Sequence, residues 1–193
     1  MDTRTADVDL VGRETVENVA RAALLAALTG AFAYVVFPNP VSPTDVTLQV
    51  LGVFLAGLLL GPVWGTVSLC LYLAAGAVGA PVYLGGAAGV GHLFGATAGY
   101  LWSYPIAAAV VGLAVHGRGG LRPLGEVGLP RLVGAMVAGV VVIYALGAAG
   151  LMLVLGYGLQ KAVVTGALVF LPAEALKLVA AVGIVRSDAI RAR

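Results

Sequence analysis

Glu174 and Lys177 are the side chains best placed to do chemistry. They lie in Leu171-Pro172-Ala173-Glu174-Ala175-Leu176-Lys177, inside an otherwise apolar stretch. A separation of three residues puts both on one face of a helix. An ionisable group in hydrocarbon costs at least ~2.5–3.5 kcal/mol on insertion scales, so it faces a protein interior or a cavity and marks function. One reading is a structural ion pair that locks two helices. The other is a ligand site, with Glu174 accepting hydrogen bonds from ligand N–H groups and Lys177 neutralising a carboxylate. Pro172 favours the ligand site, because a proline within a helix frees backbone carbonyls that need a partner or a cavity.

Two further segments carry polar or conformationally special residues. The first, Pro38-Asn39-Pro40-Val41-Ser42-Pro43-Thr44-Asp45-Val46-Thr47-Leu48-Gln49, is stiffened by three prolines and has the makings of a lid. Thr44 or Asp45 is expected to cap the following helix. Gln49, one turn into the membrane, either contacts a pocket or glues helices together. The second runs from Gly79 to His92 and includes Tyr83, Gly85, Gly86 and Ala87. Its glycines permit tight turns and close backbone approach to a small molecule. The spacing Gly89-x-Gly91-x-x-x-Gly95 misses the dinucleotide fingerprint. His92 reads as an interface residue near an outer mouth, and His116 as a snorkelling residue at a helix end. Tyr83, Tyr100, Trp102 and Tyr104 suit ligand stacking or an interfacial aromatic belt.

These residues must be held by membrane helices. Of 193 residues, 61% are hydrophobic and only 10% charged, with mean hydropathy +1.03. So few charges cannot clothe a soluble globule. A net charge of +2 is too small and dispersed for nucleic-acid binding. Cys70 is the single cysteine, which rules out an intrachain disulfide framework or a cysteine metal cluster. No HExxH, Walker loop, GxSxG or metal-spaced histidine pair occurs, so neither catalytic nor metal-ligating residues are expected. An intramembrane enzyme using Glu174 as general base would lack a second catalytic group. A purely structural scaffold is the remaining alternative class.

Between Asp45 and Arg118, 72 consecutive residues carry no charge. As one helix they would extend ~108 Å, against a hydrocarbon core of ~30 Å. Gly61-Pro62 and Gly79-Ala80-Pro81 break the run. Spans are expected near 17–37, 47–61, 63–79, 91–116, 131–155 and 160–186, giving an all-α, six-helix integral membrane protein. The second span is short, so five spans with a re-entrant segment also fit. Residues 1–13 read as a polar tail and 14–193 as one membrane domain. In a six-span chain, the arginines at 4, 13 and 21, at 118, 122 and 131, and at 186, 191 and 193 fall on one side. That side is assigned to the cytoplasm, with both termini, and the loops at 38–46, 80–90 and 156–160 to the exterior. The first helix carries two rows of small residues, Ala22, Ala26 and Gly30 beside Ala23, Ala27 and Ala31. Such rows let helices approach closely, within the bundle or against a partner.

Taken in order, these motifs resemble the BioY family, the biotin-specific S components of energy-coupling factor (ECF) transporters. The likeness runs through Thr47-Leu48-Gln49, Ala56-Gly57-Leu58-Leu59-Leu60-Gly61-Pro62-Val63-Trp64-Gly65, Gly79-Ala80-Pro81-Val82-Tyr83 and Gly95-Ala96-Thr97-Ala98-Gly99-Tyr100. Leu171 to Lys177 is similar to the family's closing Pro-Gly-Asp-x-x-Lys signature. The resemblance implies biotin as transported ligand without a cofactor, held near the external face of a cell-membrane protein. Glu174 would meet the ureido ring and Lys177 the valerate carboxylate, with Thr47 to Gln49 and the glycine loop at 85–89 closing the pocket. The small residues of the first helix would dock a transmembrane T component coupled to two ATPase subunits. An S component for another small vitamin is the nearest alternative. The chain departs from the pattern in Glu174 for Asp, Ala173 for Gly, Ala87 where some relatives use Asn, and Leu101 where some offer Arg.

Overall fold

The computed structural model describes residues 12–187. The tail expected at 1–13 lies outside them except for Gly12 and Arg13, as do Arg191 and Arg193. The elements are α1 (Arg13–Phe32), β1 (Val36–Phe37), β2 (Val46–Thr47), α2 (Gln49–Ala77), α3 (Ala98–His116), α4 (Leu129–Leu155), α5 (Leu159–Gly166) and α6 (Leu171–Val185). Short 3-10 turns occupy Leu84–Gly86, Val90–Leu93 and Leu168–Phe170.

Gly61 decides the course of α2. Its φ of 74° and ψ of −171° leave the helical region, and Pro62 follows. The Gln49 side-chain amide donates to the Tyr72 hydroxyl. A straight helix would hold those residues about 34 Å apart. A Cβ on Gly65 would meet the Ala56 carbonyl oxygen at 2.8 Å. The helix therefore folds back on itself as a hairpin whose arms correspond to the expected spans 47–61 and 63–79. The arms extend only about 18 and 24 Å, less than the ~30 Å hydrocarbon core. Among the described residues four stretches are long and apolar enough to cross a membrane: Gln49–Ala77 taken whole, Ala98–His116, Leu129–Leu155 and Leu159–Val185. Six full spans are thus not what the helix lengths return. The first half of α1 carries Arg13, Glu14, Glu17 and Arg21, and Glu17 joins Arg13 and Arg21 through exposed i,i+4 pairs at 3.4 and 3.7 Å.

The bundle closes through small residues. α1 lies across both hairpin arms, with Gly52 against Thr29 and the Ser68 hydroxyl donating to the Ala22 carbonyl at 2.8 Å. Gly57 and Gly112 let α3 approach the hairpin, and Gly99, Gly139 and Gly150 let α4 approach α3. Of the two rows on α1, Ala22, Ala26 and Gly30 are buried inside the bundle, whereas Ala23, Ala27 and Ala31 face outward. The inner row serves internal packing, because Ser68 and Val82 already occupy its surface.

Two expectations about polar residues need correction. His116 does not snorkel. It is buried, its Nε2 lies 2.8 Å from the Leu58 carbonyl, and its Nδ1 accepts the Arg122 backbone N–H at 3.0 Å. Nor does Thr44 or Asp45 cap α2. Leu48 holds that position, and the Asp45 carboxylate accepts the Asn39 backbone N–H at 3.1 Å instead. The reason is the β1–β2 ribbon, which pairs Val36 with Thr47 and Phe37 with Val46 and draws the proline loop into its own turn.

Gly112 tests this packing. A Cβ there would meet the Pro62 nitrogen at 2.5 Å, whereas one on Gly134 meets nothing within 4 Å. Gly112→Ala is expected to destabilise the detergent-extracted protein by about 1–3 kcal/mol, and Gly134→Ala to leave it unchanged or slightly stabler, as read by thermal unfolding.

Candidate functional site

The last helical stretch is broken just before the charges. α5 ends at Gly166, and Ala167 leaves the helical region at φ −135° and ψ −62° before the turn at Leu168–Phe170. Pro172 stands in the first turn of α6, where its missing N–H removes no helical hydrogen bond. It therefore starts a helix rather than kinking one. Glu174 falls in the same turn, where the partial positive charge of a helix N-terminus favours a carboxylate.

Glu174 is 1% exposed and Lys177 4%. Lys177 Nζ lies 2.6 Å from Glu174 Oε1, and the Tyr144 hydroxyl donates to the same oxygen at 2.7 Å. Glu174 Oε2 is buried and has no hydrogen-bond partner among the described residues. The pair thus leaves an acceptor open beside an ammonium group that retains further donors. This geometry also alters one expectation. Two groups 2.6 Å apart address one end of a ligand, so they cannot divide a ureido ring and a distant carboxylate between them.

A cavity of about 570 Å³ lies beside this pair, within the range of small-molecule sites. Its floor holds Lys177 and Tyr144, and its walls include Val50, Leu101, Ile143 and Phe170. Thr44, Asp45 and Thr47 of the proline loop border it, as do His92 and Thr97 from the connection before α3. It therefore opens at the end of the bundle opposite His116 and the loop that follows. Aromatic rings meet in two contacting groups, Tyr83 and Tyr104 bridged by Tyr72, and Tyr100, Tyr144 and Phe170, and all but Tyr72 line the cavity. Glycines make room for them. A side chain on Gly76 would collide with the Tyr83 ring, and one on Gly147 with Tyr100. The Tyr83 hydroxyl donates to the Leu73 carbonyl and that of Tyr100 to the Gly166 carbonyl, each at 2.6 Å. Burial raises the pKa of the Tyr83 phenol above its usual value, keeping it a donor.

Of the residues expected at a site, Lys177, Gln49, Thr47, Tyr83, Ala87 and Tyr100 line the cavity. Glu174 stands directly behind Lys177 and Tyr144. Gln49 is both wall and glue, since its carbonyl accepts from Thr47 at 2.9 Å while its amide reaches Tyr72. Gly85 and Gly86 are not among the lining residues. Their φ values of 63° and 85° turn the loop back onto the end of α1, where the Gly85 N–H meets the Ala33 carbonyl at 3.0 Å. Trp102 is half exposed and bonded to the Leu93 carbonyl, away from the cavity. Sequence reasoning missed Tyr144 and Phe170. Tyr144 carries the lone hydroxyl between Leu132 and Leu155, which was the available signal.

Fold and site together define a multi-pass helical membrane protein with a solute-sized cavity at one end, a transporter component. The sequence matches the BioY family over residues 3–192, and the chain belongs to that family. It is 36% identical over 166 residues to a protein described as a probable biotin transporter BioY of Pyrococcus horikoshii, covering 86% of this chain and 92% of that one. It is 40% identical over 147 residues to the biotin transporter BioY of Rhodobacter capsulatus, covering 74% and 73%. Its fold is similar, with a TM-score of 0.82 and 25% identity over 95% of each chain, to the crystal structure of the S-component for biotin from an ECF-type ABC transporter.

The buried pair makes a direct prediction. Glu174→Gln or Lys177→Met alone leaves one charge unpaired and is expected to cost about 3–5 kcal/mol of stability. The double variant should lose less than the two singles combined. Strictly additive losses in detergent unfolding would show that the groups do not interact.

Proposed function

We propose that the cavity binds biotin and that the chain is the membrane-embedded subunit that captures it for uptake. The observation that carries this reading is a polar floor beneath apolar and aromatic walls: Lys177 and Tyr144 line it, and Glu174, whose Oε2 has no partner among the described residues, stands directly behind them. Biotin's ureido ring offers N–H donors to Glu174 and a carbonyl to the Lys177 ammonium. Its aliphatic chain then runs along Leu101 and Ile143, and its carboxylate lies near Thr47, Thr97 and His92 at the mouth. Ala87 and Leu101 give the lining no polar side chain at those positions. The proline loop and the connection that carries Leu84, Ala87 and Ala88 close over the ligand. The likeness to a biotin S-component of an ECF-type transporter supports this reading.

In this reading, ATP hydrolysis by partners energises uptake: a transmembrane T component with two ATP-binding subunits. The outward row of Ala23, Ala27 and Ala31 on α1 suits close docking of a T-component helix. The clustering of Arg118, Arg122, Arg131 and Arg186 at the opposite end supports a cytoplasmic assignment for that end and an external one for the cavity.

Purified protein is expected to bind biotin, and biotin is expected among the small molecules that co-purify with it. Glu174→Gln and Lys177→Met should each weaken binding about 10–100-fold and Tyr144→Phe about tenfold, measured on the folded fraction. Another vitamin that biotin fails to displace would overturn the ligand assignment. Unchanged uptake in both charge variants would favour the scaffold reading. For topology, single cysteines placed by Val41→Cys and Glu126→Cys in a Cys70→Ala background are the check. An impermeant thiol reagent should label position 41 in intact cells and position 126 only after permeabilisation.

A further inference from the structure

At the end of the bundle opposite the cavity, the loop after α3 and the start of α4 enclose a cleft of about 250 Å³. Arg122, Pro123, Glu126, Val127, Gly128 and Arg131 line it. Arg118 lies earlier on the same loop, and Arg186 at the end of α6 donates to the Val127 carbonyl at 3.0 Å. Among the described residues none of these four arginines lies within salt-bridge distance of a carboxylate, although Glu126 borders the same cleft. Arg131 engages only its Nε, with the Ala114 carbonyl at 2.7 Å, which leaves both terminal nitrogens available. The Arg122 side chain makes no hydrogen bond among the described residues, while its backbone N–H is fixed on His116 Nδ1. Because Nδ1 accepts, the imidazole proton resides on Nε2 and donates to the Leu58 carbonyl, tying the loop to the α2 hairpin. α4 opens at Gly128 without a side-chain cap, so the positive end of a 27-residue helix borders the same cleft. Leu121, Leu129 and Val133 beside it are exposed and apolar.

Uncompensated guanidinium groups, a helix N-terminus and adjoining exposed apolar side chains match an amphiphile with an anionic head. Basic pockets among transmembrane helices take lipid phosphates on these terms. We propose that this cleft binds the phosphate of an anionic membrane lipid, with Arg122 and Arg131 donating to its oxygens. Glu126 selects within that class. It repels a bare anion and accepts a hydrogen bond from a headgroup hydroxyl, as phosphatidylglycerol offers.

Native mass spectrometry of the full chain in detergent tests this, with phosphatidylglycerol, phosphatidylcholine and soluble glycerol phosphate added in turn. Phosphatidylglycerol is expected to be retained about tenfold more tightly than phosphatidylcholine, and Arg122→Gln/Arg131→Gln to abolish the preference. Arg13→Gln, at an exposed site on α1, should leave it intact. If the double variant does not fold, Arg122→Gln alone should lower the preference about threefold or more, since that side chain holds nothing else in place. Equal retention of the two lipids would overturn the proposal, as would an unchanged preference in the double variant. Displacement of lipid by glycerol phosphate at equal concentration would also overturn it, making a soluble phosphate the ligand. A double variant that keeps its lipid but loses association with ATPase partners would show the cleft to be a protein-docking surface.

Discussion

One carboxylate and one ammonium, both withdrawn from water, set the terms for the rest of this molecule. Glu174 and Lys177 are almost fully buried in a chain whose surroundings are hydrocarbon. Their mutual attraction offsets desolvation only if the remaining hydrogen-bonding capacity is used. Three local features serve that end. The break between α5 and α6 brings a helix N-terminus to the carboxylate, Pro172 starts α6 without losing a hydrogen bond, and Tyr144 reaches across from α4 to share Oε1. What the described residues do not satisfy is Oε2, which is buried behind Lys177 and Tyr144 of the cavity lining.

The scaffold exists to bring backbones close enough for bulky rings to stand between them. Gly57, Gly99 and Gly112 let helices approach to backbone contact, and Gly76 and Gly147 leave the volume that Tyr83 and Tyr100 fill. Cross-linking hydroxyls then hold those rings, as in the bond from Tyr100 to the Gly166 carbonyl at the α5 break. Removing side chains at one position thus positions larger ones at another, and Tyr83, Tyr100 and Tyr104 are among the rings that line the cavity.

The molecule is polar at opposite ends for different reasons. At the cavity end, hydroxyls, amides and the Glu174–Lys177 pair offer hydrogen bonds to a polar solute between apolar and aromatic walls. At the other end, His116 pins the α3–α4 loop to the hairpin turn, and the arginines there lack acidic partners among the described residues. Membership of the BioY family agrees with the first arrangement.

Composition and pattern alone establish that this is a helical membrane protein, because 10% charge cannot solvate a globule of this length. They also single out Glu174, Lys177 and the turn at Gly61-Pro62, since ions and helix breakers in hydrocarbon carry a cost wherever they lie. Four matters escaped that reasoning. Sequence spacing could not show whether Glu174 and Lys177 grip separate ends of a ligand or each other, because that depends on side-chain direction and on Tyr144, thirty residues away. Nor could it tell which small-residue row on α1 faces inward, whether His116 is buried, or that Gly85 and Gly86 turn a loop rather than line a cavity. Local sequence decides which residues are costly to place in a membrane. Only the packing of distant helices decides which neighbours satisfy them.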